Sequence, residues 1–453
     1  MTDTQPDAKS STARASSYAL LDALLERRSR RFGKGMRLNG GPLAYASTAP
    51  PEPLSLDEQA ALAFAACGIT GYALGDLPYQ DGGLPEAGDG NVMIHFIGRT
   101  IPSGDATHAV TVFVIDDEGT WMLKRPQDYA RAEIGELIKA AHERRLVDLY
   151  EKSRVRIADR RLDIPREVPF TLPFNKWSGN QPGTTCFVPV NELTALSLNA
   201  LISGFSEELG YFIIDDRNRY QPAGIAKFGR SRGGHLYDDP SKGRIATIGL
   251  AESWVYEFTA IEQGAMLQNL GLMAQALGLG GFPYFAKHPF IWLQALGFRM
   301  EVPPFSRTIG AGPLMKMLLK AIKRDVPVPM AVGLERGDEV LLKPFCPPYY
   351  RSMTDAVLAF VDYKCAEGSG TQHDGGAATA WRDGARVQAD IPRYSDKAID
   401  ATIAYCEYAY RRYGRFPPNN GPFRTVLLYQ AHHLDPDFYA HFYRAESLTN
   451  TQR

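Results

Sequence analysis

Between Glu257 and Gly278 the chain carries its strongest helical pattern, with Ile261, Ala265, Leu272 and Ala276 along one side. Any fold adopted here must find a place for a helix that long and that apolar. Gly264, Gly271 and Gly278 recur every seven residues and so lie on nearly one face, although each interior glycine costs roughly 0.5–1 kcal/mol against alanine. That spacing fits close approach by a facing helix, from a second subunit included, or by a flat ring; ordinary helix packing accounts for it equally. The stretch Ala276-Leu277-Gly278-Leu279-Gly280-Gly281 is not a dinucleotide fingerprint, because its glycines close a helix and lead into Phe282-Pro283 instead of following a strand and opening a helix. Its backbone amides could face a cofactor edge.

A second constraint is the run Arg27-Arg28-Ser29-Arg30-Arg31-Phe32. It closes a helix expected from Ser16 or Ser17 that carries Leu20, Leu21, Leu24 and Leu25 on one side. Cations at a helix end gain only about 0.3–1 kcal/mol each from the macrodipole, too little to account for four arginines. A phosphate held by fork-shaped guanidinium groups and a hydroxyl accounts for them better, with a solvated basic helix end as the plain alternative.

At 453 residues the chain is one large domain or two. Its 50 basic and 51 acidic side chains nearly cancel, so there is no global field to gather nucleic acid or anionic lipid, and basic patches are local devices. The five cysteines, Cys67, Cys186, Cys346, Cys365 and Cys406, have no paired short spacing, which argues against disulfides and a zinc knuckle and for a reducing, cytoplasmic compartment. No apolar run approaches a membrane span, and residues 1–15 lack a signal-peptide core and are expected to be disordered. His432-His433-Leu434-Asp435 is expected to be structural, with no metal, because adjacent imidazoles point apart in a regular element.

Local signals outline the rest. Ser55 and Glu58 form a capping box for a helix ending at Cys67. Residues 75–90 are expected as loop, 109–115 and 121–123 as a hairpin, and 130–152 as helical. Residues 153–190 read as a mixed-charge insertion over the core, and 365–392 as a surface linker. Tyr211 to Ile214 and Val326 to Leu334 look like strands. Ile399, Ile403, Cys406, Tyr410 and Tyr413 mark one helix face, and Asp435 with Pro436 starts a short aromatic helix that docks the C-terminus on the core or a partner subunit.

Several of these pieces, in order, resemble one family, the nitroreductase-like flavoproteins, closest to the azoline (thiazole/oxazole) dehydrogenase branch. Arg27, Ser29 and Arg31 match its phosphate run; Gly68-Ile69-Thr70-Gly71 its turn; Arg99-Thr100-Ile101-Pro102-Ser103-Gly104 its flavin-side loop; Glu262 to Gly280 its signature helix; and Arg351 its late arginine. The likeness covers roughly residues 18–125 and 250–360. Trp177-Ser178-Gly179-Asn180-Gln181-Pro182 is similar to the flavin-edge loop of ordinary nitroreductases, but it comes later in the chain and is read as a loop capping the pocket. The Lys-Tyr pair of azoline dehydrogenases is replaced by Leu250-Ala251-Glu252-Ser253-Trp254, which puts azoline oxidation in doubt.

The resemblance implies an α+β fold, an α/β sandwich with a mixed sheet flanked by helices. It places a flavin domain over 16–364, with an insertion at about 126–250, and a linker and helical extension over 365–453. It implies FMN held by Arg27, Ser29 and Arg351, a ring resting against Pro102, Ser103 and Gly104, and the backbone of Gly280 and Gly281 near N5. Arg31 or Arg99 would stabilise charge at N1 and C2=O. The implied activity is hydride transfer to or from a small organic substrate in a homodimer, with NADH or NADPH a possible reductant. A flavin-fold binding or scaffold protein in a biosynthetic assembly is the other reading.

Overall fold

The computed structural model of the chain describes residues 10–77, 90–285, 289–425 and 427–449. At its centre is a seven-stranded sheet. In chain order the strands are β1 (Val110–Ile115), β2 (Thr120–Leu123), β3 (Arg154–Ala158), β4 (Thr185–Glu192), β5 (Gly280–Phe285), β6 (Phe423–Arg424) and β7 (Leu427–His432). They lie side by side as β5, β7, β4, β1, β2 and β3, with β6 pairing the end of β4. Each of these pairings is antiparallel, so the class is α+β but the main sheet is not mixed. Parallel pairing occurs in a small sheet, where Ile245–Thr247 runs along Phe212–Asp215.

Alternation along the strands builds two cores. Val110, Val112 and Val114 face Leu62, Ala66, Met266 and Leu270 of the helices Leu56–Cys67 and Ile248–Ala276. Phe113 and Ile115, on the opposite face, meet Trp292, Leu296 and Phe298. A third core joins the helices Thr194–Gly204, Met353–Cys365 and Asp396–Tyr413 with the first residue of the long helix, Ile248. Among the described residues no helix is long and apolar enough to cross a membrane.

Caps hold where they were expected. Ser55 and Glu58 form their capping box, and Asp435 caps Pro436–Phe442 by accepting from the Phe438 N–H. Helices Arg131–His142 and Leu146–Ser153 fill the stretch read as helical, and Val110–Ile115 pairs with Thr120–Leu123. The long helix starts earlier than its apolar pattern, at Ile248, because the Thr247 hydroxyl accepts from the Leu250 N–H at 3.1 Å.

Three boundaries differ from expectation. Residues 11–17 form a helix with Ser11 and Thr12 buried, whereas residues 1–15 were expected to be disordered; the first nine lie outside the described residues. The presumed insertion supplies β3 and the fully buried β4. The presumed extension supplies β7, which lies between β5 and β4 in the same sheet. The stretch 365–392 is also no surface linker, since Gln372 is buried and donates to the carbonyl of Asn91 at 3.0 Å. The loop expected over 75–90 falls mostly outside the described residues.

The glycines serve three different purposes. Gly264 faces open space, Gly271 leaves room for the Arg27 side chain, and Gly278 takes the left-handed conformation that ends the helix, with φ 73°. Gly280 and Gly281 belong to β5, paired with His432 and Ala431 of β7. The space beside them is filled by Leu434, the Tyr429 phenol and the buried His432 imidazole, which burial holds neutral by pushing its pKa down to about 3. They therefore admit close side-chain packing in place of a flavin N5. Gly281→Ala would drive a methyl into the Tyr429 ring, and a loss of about 1–3 kcal/mol in urea unfolding is expected; an unchanged midpoint would contradict this packing.

Candidate functional site

The arginine run leaves the helix Leu20–Glu26 in extended conformation. Its first members close the helix end: the Arg27 N–H donates to the carbonyl of Ala23 at 3.0 Å, and Arg28 Nη1 donates to the carbonyls of Leu25 and Arg27 at 2.9 Å each. The backbone then pairs with the free edge of β5, the Gly281 N–H donating to the Arg30 carbonyl at 3.0 Å. Because successive side chains of extended backbone point to opposite sides, Arg30 and Arg31 part company there.

Arg30 turns inward. It is 5% exposed, its Nη1 donates to Gln275 Oε1 of the long helix at 3.2 Å, and its Nη2 is buried with no partner among the described residues. Burial lowers its pKa from the usual arginine value, and a buried guanidinium nitrogen without an acceptor carries its full desolvation cost. Arg31 turns to the loop before β4, where Nη2 donates to the carbonyl of Phe174 and to Asn175 Oδ1 and Ser178 Oγ, each within 2.9 Å. Its guanidinium lies 4.6 Å from the centre of the Phe282 ring and 5.2 Å from that of Trp177.

Arg28, Ser29, Arg30 and Arg31 line one side of a cavity of about 790 Å³, within the range of cofactor pockets. Glu26 and several aromatic residues share the lining. Phe32 stacks on Phe438 with ring centres 4.0 Å apart and on Trp177 at 6.1 Å, and the Phe32 N–H donates to the Tyr439 hydroxyl at 3.1 Å. Residues Glu446, Ser447, Leu448 and Thr449 complete the rim. The loop read as a cap does supply Trp177 to the wall and Ser178 to Arg31.

The other expected site residues lie elsewhere. Arg99 is buried in an ion pair with Glu262 of the long helix, so its charge is already matched and it cannot serve a ring at the cavity. Ser103 Oγ donates to the same carboxylate at 3.0 Å and accepts from the His108 N–H at 2.8 Å, while Gly104 packs against Phe258. Pro102 is exposed beside them. From Glu262 to Gln275 the helix advances roughly 20 Å, so within one chain this loop and the arginine cavity are separate places. Arg27 lies over Gly271. Arg351, just before the helix Met353–Cys365, is exposed, and no hydrogen bond or ion pair joins it to the arginine run among the described residues. Sequence reasoning counted Arg28 and Arg30 in the run but did not single them out, because the pairing with Gly281 that sets their directions is not local.

No family model matches this sequence, and no curated protein matches it. Among solved structures, the crystal structure of a "putative nitroreductase" from Ralstonia eutropha JMP134 aligns at 15% identity over 64% of this chain and 79% of that one, with a TM-score of 0.30. A likeness that loose carries no argument about fold or function.

Removing the Glu262 carboxylate would strand the buried Arg99 guanidinium and release Ser103 and the Val110 N–H. Glu262→Ala is expected to cost about 3–5 kcal/mol in chemical unfolding, and a loss below about 1 kcal/mol, the value of an exposed pair, would refute the role given to this pair.

Proposed function

We propose that the chain is an FMN-dependent oxidoreductase whose cofactor phosphate is held by Arg28, Ser29 and Arg30. The observation that carries this reading is a cofactor-sized cavity whose lining gathers Arg28, Ser29, Arg30 and Arg31 beside aromatic side chains. The residues present fit such a group: clustered guanidinium groups suit phosphate oxygens, the exposed Ser29 adds a hydroxyl, and the partly exposed Trp177, backed by Phe32 and Phe438, offers apolar surface to a flat heterocycle. When bound, FMN supplies hydride chemistry. Arg31, fixed by Phe174, Asn175 and Ser178, would place a permanent positive charge beside the ring. Compared with the grip that the resemblance implies, Arg28 and Arg30 take the places of Arg27 and Arg31, and Arg351 takes no part. A small organic substrate and a reduced nicotinamide donor belong to this reading as its expected partners.

The same reading includes a homodimer. Leu250, Trp254, Phe258 and Ile261 form an exposed apolar stripe on the long helix, continued by the open Gly264, the kind of surface that marks an interface.

Titration of FMN into the protein, followed by quenching of flavin fluorescence, tests the assignment. Saturable uptake is expected, weakened at least about tenfold by Arg30→Gln, the loss of one charge-assisted hydrogen bond, and unchanged by Arg351→Gln. Ser29→Ala and Arg28→Gln, both at exposed positions, should weaken uptake with folding intact. An Arg30→Gln protein that binds FMN like the parent, or a parent that takes up none, would end the proposal.

A further inference from the structure

Between the strands Phe298–Glu301 and Met330–Arg336 the chain makes an excursion that includes the helix Pro313–Ala321. None of the nine residues of this helix is buried. Leu314, Met315, Met317, Leu318 and the following Ile322 are 78, 49, 65, 50 and 50% exposed. Its packing partner is the four-residue helix Phe305–Thr308. Val302 and Val326, in the flanking turns, add further exposed apolar surface.

The arrangement of these side chains restricts what can cover them. At 3.6 residues per turn, the apolar positions span an arc of about 200° and Lys316, Lys320 and Lys323 fill an opposite arc of about 60°. Helices that pack on a protein core show an apolar stripe of roughly 100°, so one groove would leave much of this face bare. No acidic residue occurs from 310 to 324, a stretch holding Lys316, Lys320, Lys323 and Arg324. Two copies meeting through this helix about a two-fold axis would set like charges against each other.

A second observation lies at the root of the helix. A cavity of about 320 Å³ is lined by Arg307, Lys316, Arg411 and Arg412, with no carboxylate in its lining. Two acids meet this lining from outside it: Asp325 accepts from the Ser306 N–H at 2.7 Å and its hydroxyl at 2.9 Å, and Asp215 lies 3.4 Å from Arg412 Nε. Arg307 and Arg411 have no ion pair among the described residues. We propose that this excursion docks the protein on an anionic phospholipid surface, the helix Pro313–Ala321 lying in the interface and the Arg307, Lys316 and Arg411 cavity receiving a headgroup phosphate. A wide apolar face with cationic edges is the pattern of helices lying in the plane of a bilayer surface, and lysine stems reach past apolar surface to the headgroups. The near-zero net charge conceals this device because it is confined to one segment. The inference does not depend on FMN.

Sedimentation of the full chain with vesicles tests it. Binding is expected to vesicles containing phosphatidylglycerol, little to phosphatidylcholine alone, with loss in high salt. Leu314→Asp with Leu318→Asp, and separately Arg307→Gln with Arg411→Gln, should each lower the bound fraction at least about tenfold while the melting temperature holds. Overturning results are no binding to the anionic vesicles, equal binding to the neutral ones, or normal binding by both variants. Occupation of the cavity by inorganic phosphate without vesicle binding would assign it to a free anion. A dimer by light scattering that the Leu314→Asp, Leu318→Asp change dissociates, again without vesicle binding, would assign the face to a second copy.

Discussion

One carboxylate near the middle of the long helix fixes the relation between helix and sheet. Glu262 is paired with Arg99, accepts from the Val110 N–H at 3.2 Å and from Ser103 Oγ at 3.0 Å, and is 2% exposed. A charge buried that deeply is tolerated only where its geometry is held on several sides, so the depth and rotation of the helix against β1 are set there. Everything further along the helix inherits that setting. Gln275, about 20 Å away by helical rise, meets Arg30 because Glu262 leaves the helix little freedom to slide or turn.

The arginine cavity is consequently a product of the whole chain. Its cationic side follows the seven-residue helix Leu20–Glu26, and its aromatic side comes from Trp177 in the loop before β4 and Phe438 and Tyr439 after β7. β5, which pairs with the Arg30 backbone on one edge and with β7 on the other, joins the two sides. The two glycines of β5 serve that junction by letting His432, Leu434 and Tyr429 pack close to the backbone. A cavity assembled this way places its cations on fixed backbone, the preorganisation that lowers the ordering cost of binding.

How much of this was legible in the sequence varied with how local the determining physics is. The Ser55 and Glu58 box, the Asp435 and Pro436 start and the 110–123 hairpin were readable because neighbouring residues settle them. Strand β4 was not, since Pro189 and the flanking polar residues disguise a segment whose strand character comes from burial between β1 and β7. Residues 365–392 look like linker by composition but close over Lys364, which is buried with Asn91, Asn199 and Tyr394 around its ammonium and a pKa pushed down by burial to about 7. Charge density alone suggests a phosphate site at the arginine run. Which of its members turn inward depends on a bridge to Gly281, two hundred and fifty residues away in sequence, and no local pattern carries that.

The most direct measurement is a crystal structure grown with FMN. This account requires the phosphate within hydrogen-bond distance of the Arg30 guanidinium, on the side of the cavity formed by Arg28 and Ser29, with Arg31 still bound to Ser178. A flavin seated beside Pro102 within a single chain and away from Arg30, or an arginine cavity still empty at saturating FMN, would contradict it.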